Sequence, residues 1–197
     1  MNIFILDLNI LKAAQAHCDK HVVKMLLESI QLLYTAHWAL AFPELAETKS
    51  PIALSKLQKK YPPPSSLRNA PPAIASGQIM RPCHINHPCA LWTRESLANY
   101  IWLCEFAIAL AKEFELRYVH THSCAIHASW LLQNPSPRLP KLPLTQFAIA
   151  MDDVYKVSQT GQNPDPLLSY RNYYNTSKKE RGLLKYTRRQ PPDWLTP

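Results

Sequence analysis

The stretch that decides the fold is HCDKHVVKMLLESIQLLYT, residues 17–35. Its composition and periodicity predict one helix that is apolar on nearly all sides, and a helix of that kind is normally buried. Polar residues nevertheless recur at steps of four and three, which places them on one narrow face. Because an unpaired buried charge is costly, we expect this polar face to line a functional cleft. The polar face consists of His17, His21, Lys24, Glu28, Gln31 and Thr35.

Three residues of this face are the candidate catalytic groups: His21, Lys24 and Glu28. A carboxyl group in an apolar setting binds its proton more tightly, which suits Glu28 to general acid–base catalysis. Lys24 precedes Glu28 by one helical turn, so a structural ion pair between them is the other interpretation. A partly desolvated lysine can also serve as a Schiff-base nucleophile, and Lys20 and Lys24 are the amines nearest to this face.

His17 and His21 have the i, i+4 spacing of a two-histidine metal pair. A third ligand would have to come from elsewhere in the chain, and there is no HExxH motif. We therefore expect no metal and no cofactor, and we keep a metal-dependent hydrolase or nuclease as an alternative. The histidines that could complete such a site are His84, His87, His120, His122 and His127.

Composition narrows the class of protein. The 197 residues are enough for one domain, 1–197, with a sizeable core, and 47% of them are hydrophobic. No apolar run reaches 18 residues, so we expect no membrane span. The five cysteines form no CxxC pair, which favours reduced thiols in a cytoplasmic protein. With three glycines and no glycine-rich motif, the chain is not of the Rossmann or P-loop type.

The pattern of apolar runs predicts a mainly α protein, a compact single-domain helical bundle with long Pro-rich loops. Six prolines between residues 62 and 82 predict a long surface loop, which we expect to be either a lid over the cleft or an insertion. Residues 176–197 are predicted to form a basic tail. The other predicted elements are a strand or buried arm at Ile3–Leu6 and helices over Ile10–Ala41 (with room for a break near its start or near His37), Ile52–Tyr61, Pro88–Arg117, Ser123–Gln133 and Leu167–Asn175.

The charge balance points to a partner. The formal charge is +8 and the pI is about 9.3, which suggests nucleic acid, with general solubility as the alternative. The segment SYRNYYNTSKKERGLLKYTRRQPPDW, residues 169–194, interleaves basic side chains that neutralise phosphates with aromatic rings that stack on bases. Its tyrosines could instead pack the tail onto the core. The candidate nucleic-acid-binding residues are Asn86, His87, Arg94, Asn99, Arg117, Arg171, Tyr174, Lys178, Lys179 and Arg188.

Three motifs resemble a family of small phage and bacterial proteins: DKHVVKM at 19–25, NHP…W…NY.WL at 86–103 and YRNYY…K at 170–178. This resemblance covers most of the chain except the Pro-rich loop. More distantly, the layout is similar to the pyrimidine-dimer DNA glycosylase (endonuclease V) family. That family also has an Asp-x-His in an early helix, a helical body and an aromatic, basic C-terminal segment.

The second resemblance implies cleavage of a base–sugar bond by attack of an amine at C1′, followed by imine formation and strand scission. By position, Asp19 and His21 match the Asp-x-His motif, and Glu28 is a stand-in for the catalytic glutamate at a different spacing. The family's nucleophile is an N-terminal amine freed by loss of Met1 before a small residue. Here Asn2 follows, a side chain that usually leaves Met1 in place, so the sequence assigns no nucleophile.

Together these features predict a DNA glycosylase/AP-lyase-like enzyme for DNA repair or base modification. Its substrate would be DNA rather than RNA, with a damaged or modified base entering a pocket near His21 and Glu28. The alternatives are the metal-dependent hydrolase and a non-catalytic nucleic-acid-binding protein.

Overall fold

A computed structural model describes residues 1–48, 50–73, 78–159 and 162–196 of the chain. It is 54% helical, and the described residues contain no β-strand, which confirms the mainly α class. No helix in these ranges is long and apolar enough to cross a membrane. The α-helices are α1 (Ile10–Ala16), α2 (Asp19–Ala41), α3 (Glu44–Glu47), α4 (Pro51–Leu57), α5 (Pro88–Glu95), α6 (Leu97–Tyr118), α7 (Ala125–Gln133) and α8 (Pro166–Tyr173).

The predicted helix over Ile10–Ala41 is two helices, so the stretch that begins at His17 is not one continuous helix. His17 ends α1 and Cys18 precedes α2, and both have extended backbone with ψ of 133° and 159°. The His17 Nδ1–H donates to the Ala13 carbonyl at 2.7 Å, which ties the imidazole to α1. No glycine or proline marks this break, so apolar periodicity could not place it.

The predicted helix over Pro88–Arg117 is also divided, at Ser96. Ser96 has extended backbone and its Oγ accepts the Asn99 N–H at 2.9 Å, so it ends α5 and caps α6. At the other end of the chain, α8 continues into a π-helical turn, Tyr174–Lys178. This turn brings one face of the predicted tail back onto the start of α2.

Helices α2 and α6 form the centre of the molecule, and α1, α5 and α7 pack around them. The two central helices run antiparallel, because Arg117 near the end of α6 bonds to Asp19 at the start of α2. Residues Ile3–Leu6 are buried and form the predicted arm rather than a strand. The arm lies against the polar face of α2, where Asn2 meets Glu28.

The described part of the Pro-rich loop lies along the second half of α2. The Tyr34 hydroxyl donates to the Pro71 carbonyl at 3.5 Å, and the Trp38 indole N–H donates to the Met80 carbonyl at 2.9 Å. Residues 74–77 of the predicted loop lie outside the described residues. With a rise of about 1.5 Å per residue, Trp38 is roughly 25 Å from His21 along the helix. These contacts therefore place the loop at the far end of α2 from His21.

Candidate functional site

The centre of the candidate site is the Glu28 carboxylate. Its Oε2 accepts the Asn2 backbone N–H at 3.0 Å and lies 3.9 Å from the α-amino nitrogen of Met1. Its Oε1 lies 3.3 Å from Lys24 Nζ. The Glu28 side chain is 10% exposed, whereas that of Lys24 is 67% exposed. The carboxylate is therefore covered by the start of the chain and opens to solvent on the Lys24 side.

Asn2 fixes the arm in this position. Its side-chain amide donates to the Ala150 carbonyl at 2.7 Å, and its Oδ1 accepts the Tyr170 hydroxyl at 2.5 Å and the Ile3 N–H at 3.0 Å. These bonds join the arm to α8 and to the segment that precedes it. They hold the first two backbone nitrogens of the chain beside Glu28, a contact that no sequence pattern indicated.

His21 occupies a separate, buried part of the same helix face. Its Nδ1 is hydrogen-bonded to the Tyr174 hydroxyl at 2.7 Å, and the Phe4 ring centroid lies 4.4 Å from its own. Burial holds the pKa of His21 well below its usual value, and electrostatic interactions with His17, Lys178 and Lys24 act in the same direction. The imidazole is therefore neutral at physiological pH, and it lies about 10 Å from Glu28 along the axis of α2.

His87 lies within electrostatic range of the Met1 amine and Glu28. Its pKa is lowered because it is partly buried and because the α-amino group and His84 add positive charge, while Glu28 opposes the shift. His87 Nδ1 accepts the Cys89 N–H at 3.2 Å, so the side chain caps α5 and has a fixed orientation. The site thus combines an amine, a carboxylate and an oriented imidazole.

Two predicted nucleic-acid ligands are internal residues. Asn99 is fully buried, and its amide donates to the Trp92 carbonyl and the Thr145 hydroxyl, both at 2.8 Å. Arg117 has a fully buried side chain that forms ion pairs with Asp19 at 3.0 Å and Glu113 at 2.8 Å. Both were expected at the surface, and the structure corrects this: their polar groups are used inside the protein and are not presented to DNA.

Other predicted ligands make bonds within the chain. Tyr174 is fully buried. The Asn86 side chain donates to the Ala46 carbonyl at 2.8 Å, and Arg94 donates to the Ile85 carbonyl at 2.6 Å. These three side chains support the fold, which sequence alone could not show because their partners are carbonyls or a distant histidine.

The predicted basic tail is docked on the helices. Thr187 donates to Asp19 through its N–H at 2.9 Å and its hydroxyl at 2.7 Å, and Arg189 forms an ion pair with Glu113 at 2.7 Å. Arg171 also has an internal partner, the Leu6 carbonyl at 2.9 Å. The other basic candidates are Lys178, which is buried, and Lys179 and Arg188, which are exposed.

In the described part of the chain, no three or more His, Cys, Asp or Glu side chains are grouped so that they could hold a metal ion. The metal-dependent hydrolase therefore has no ligand set among these residues. His17 is fully buried and its Nδ1 is bonded to Ala13. The spacing of His17 and His21 therefore reflects packing of two neutral rings, whose centroids lie 6.0 Å apart, against the aromatic core.

Comparisons with protein-family models, with curated proteins and with solved structures give no match for this chain.

Proposed function

We propose that the protein is a DNA glycosylase/AP-lyase-like enzyme that acts on a damaged or modified base, with the α-amino group at the start of the chain as its nucleophile. The observation that supports this most directly is the placement of the Met1 amine 3.9 Å from the Glu28 carboxylate. Imine chemistry at a sugar needs an unprotonated amine beside a group that can accept and return a proton. The Met1 amine and the Glu28 carboxylate supply these two groups, at a position that is covered except on the Lys24 side.

The proton inventory of the reaction is balanced by these two groups. Glu28 takes a proton from the ammonium, and the free amine attacks C1′ as the base–sugar bond breaks. The departing base takes up one proton from the attacking nitrogen. Glu28 then delivers its proton to the ring oxygen O4′, and the ring opens to a protonated imine. Glu28, again a carboxylate, takes a proton from C2′ as the 3′ phosphate leaves, and water hydrolyses the imine to release the amine of the enzyme.

The same geometry serves with or without Met1. If Met1 remains, its amine is the nucleophile; if it is removed, the Asn2 nitrogen becomes the amine, and it already lies 3.0 Å from Glu28 Oε2. The network around the Asn2 side chain fixes the arm in either case. The Asn2 departure from the glycosylase pattern thus changes which amine reacts but leaves an amine at the carboxylate.

Two further features fit this proposal. The excess of eight positive charges favours a polyanionic partner, for which DNA is the choice that lyase chemistry requires. All five cysteines are free thiols, as expected of a protein of the reducing cytoplasm.

Borohydride trapping on a duplex with one abasic site tests the proposal. We expect a covalent adduct that mass spectrometry maps to the N-terminal peptide, together with an intact mass that shows whether Met1 is present. Glu28→Gln should lower the trapping rate by about 10²- to 10⁴-fold, the usual contribution of a general acid–base group. Lys141→Gln, at an exposed residue remote from the site, is the matched control.

Three results would overturn the assignment. No adduct would remove the imine mechanism, and an adduct on an internal lysine would move the nucleophile away from the start of the chain. Full trapping by a variant with two residues added before Met1 would show that the position of the amine beside Glu28 is unimportant.

A further inference from the structure

Four cationic side chains lie near the start of α2, where the hydrogen bond between Tyr174 and His21 holds the π-helical turn against the helix: Lys20 and Lys24 on the helix, and Lys178 and Arg181 in and after the turn. Lys178 is the most informative, because it is only 8% exposed. Its ammonium has neither a hydrogen-bond acceptor nor a carboxylate partner among the described residues. The stem of Lys178 is packed into the protein while its charge has no counter-charge beside it, and π-helical turns recur at functional sites.

The electrostatics of Lys178 show how the four charges are related. Burial lowers the pKa of Lys178, and the positive charges of Arg181, Lys24 and Lys20 lower it further, while Cys18 opposes them. These four cations therefore repel one another across a short range. The start of α2 is the positive end of a 23-residue helix dipole; Cys18 provides no side-chain cap there, Asp19 lies in the first turn, and the Lys185 carbonyl accepts the Asp19 N–H at 2.8 Å.

The neighbouring carboxylates do not neutralise this cluster. Asp19 is bonded to Arg117 and Thr187. Glu28 compensates Lys24 alone, at 3.3 Å. Glu180, which follows in the chain, forms no ion pair with the cluster in the described part of the structure. The positive charge is thus retained, next to the Glu28 site rather than spread over the surface.

We propose that Lys20, Lys24, Lys178 and Arg181 form a seat for one phosphate group of the DNA backbone, beside the reacting nucleotide. A phosphate supplies the counter-charge that the Lys178 ammonium lacks among the described residues, and its oxygens accept charge-assisted hydrogen bonds from lysine and arginine side chains. The choice of DNA as its source rests on the proposed function, whereas the anion site does not. Lys24 lies one turn before Glu28, so a phosphate held here would adjoin the sugar that the amine attacks.

Salt-dependent binding to an undamaged, fluorescently labelled 20-base-pair duplex tests this seat without any chemistry. Lys178→Met keeps the apolar stem and removes the charge, and we expect a roughly tenfold loss of affinity. The slope of log K against log salt concentration should decrease in magnitude by about 0.9 for the lost phosphate contact. Arg181→Gln, at an exposed position that cannot disturb the core, should reduce the same slope.

The control is Lys141→Gln, which removes one exposed charge at the opposite end of the molecule, where Pro140 meets the start of α6. It should leave the slope nearly unchanged. An unchanged slope for both Lys178→Met and Arg181→Gln would overturn the proposal, and so would an equal loss in the control. Thermal melting of each variant separates loss of binding from loss of folding.

A second arm distinguishes DNA from a free phosphate compound. In this arm, the thermal stability of the wild-type protein and of Lys178→Met is measured as inorganic phosphate is added. If phosphate stabilises the wild type saturably but not the variant, and the two bind DNA equally well, the seat belongs to a small phosphate ligand and DNA is not its source. Loss of DNA affinity in Lys178→Met without any borohydride adduct in the wild type would support the seat and refute the glycosylase proposal. A borohydride adduct in the wild type, together with an unchanged salt slope in Lys178→Met and Arg181→Gln, would support the glycosylase proposal and refute the phosphate seat.

Discussion

Helix α2 carries two buried carboxylates, Asp19 and Glu28, that are held in opposite ways. Asp19 is fixed by three donors: the Arg117 guanidinium at 3.0 Å and the N–H and hydroxyl of Thr187 at 2.9 and 2.7 Å. Burial raises the pKa of Asp19, but the bonds from Thr187 and Arg117 outweigh burial and leave it below the usual value.

Glu28 instead faces one backbone N–H, an amine 3.9 Å away and a lysine whose side chain is 67% exposed. Asp19 is thus held by rigid internal donors, whereas Glu28 is surrounded by an amine and an exposed lysine that can exchange protons or move away. Similar burial on the same helix therefore does not imply the same role. The number and rigidity of the partners distinguish a structural carboxylate from a candidate catalytic one.

The largest effect is expected from Arg117→Met. The Arg117 side chain is 0% exposed and forms ion pairs with both Asp19 and Glu113. The substitution removes this shared cation and leaves the two carboxylates in a buried position. Removing one partner of a buried charge network costs about 3–5 kcal/mol. We expect chemical denaturation to show a loss of this size in the free energy of unfolding. A loss below about 1 kcal/mol would mean that Asp19 is no more firmly held than Glu28.

The sequence predicted which residues share the polar face of α2, but it did not predict the partners that distinguish the two carboxylates. Steps of three and four placed His21, Lys24 and Glu28 on one face, because helical periodicity is a local property. The partners of that face come from distant parts of the chain. Residues 1 and 2 reach Glu28 and Thr187 reaches Asp19, and no local pattern encodes such pairings.

The same limit explains the misplaced residues. Arg117 was predicted to bind nucleic acid, but its burial depends on Asp19, 98 residues away in the chain. Basic side chains are normally exposed, so the sequence does not indicate such burial. The helix breaks at His17 and Ser96 were missed because extended backbone at one or two residues leaves the apolar pattern intact. The fold class was predictable, whereas the connections that make the site were not.

The second prediction concerns two neutral, buried histidines, His17 before Asp19 and His37 beyond Glu28. Burial lowers the pKa of His17 from 6.5 to about 4, so the folded protein resists protonation that the unfolded chain accepts below pH 6.5. The free energy of unfolding should therefore fall as the pH is lowered from 6.5 to 4, by roughly 3 kcal/mol for this residue at about 1.4 kcal/mol per pH unit. Asp19 contributes in a separate window below about pH 4.

Denaturation of His17→Leu as a function of pH checks this. The variant should lose part of the slope between pH 6.5 and 4, whatever its absolute stability. His37, whose pKa is also lowered to about 4 by burial, provides an independent second site through His37→Leu. Slopes identical to that of the wild type in both variants would contradict the assignment of neutral, buried imidazoles.

The smallest effect is expected from Lys24→Met, the counterpart of Arg117→Met on the second carboxylate. The Lys24 side chain is 67% exposed, and its nitrogen lies 3.3 Å from Glu28. Exposed pairs of this kind contribute at most about 0.5 kcal/mol and are screened by salt. Unfolding at low and high salt should show a difference that is small and then vanishes. A loss above about 2 kcal/mol that persists in high salt would mean that Glu28 depends on Lys24 as Asp19 depends on Arg117. Lys24 would then be a structural residue, and the carboxylate would no longer be free to exchange protons with the amine at the start of the chain.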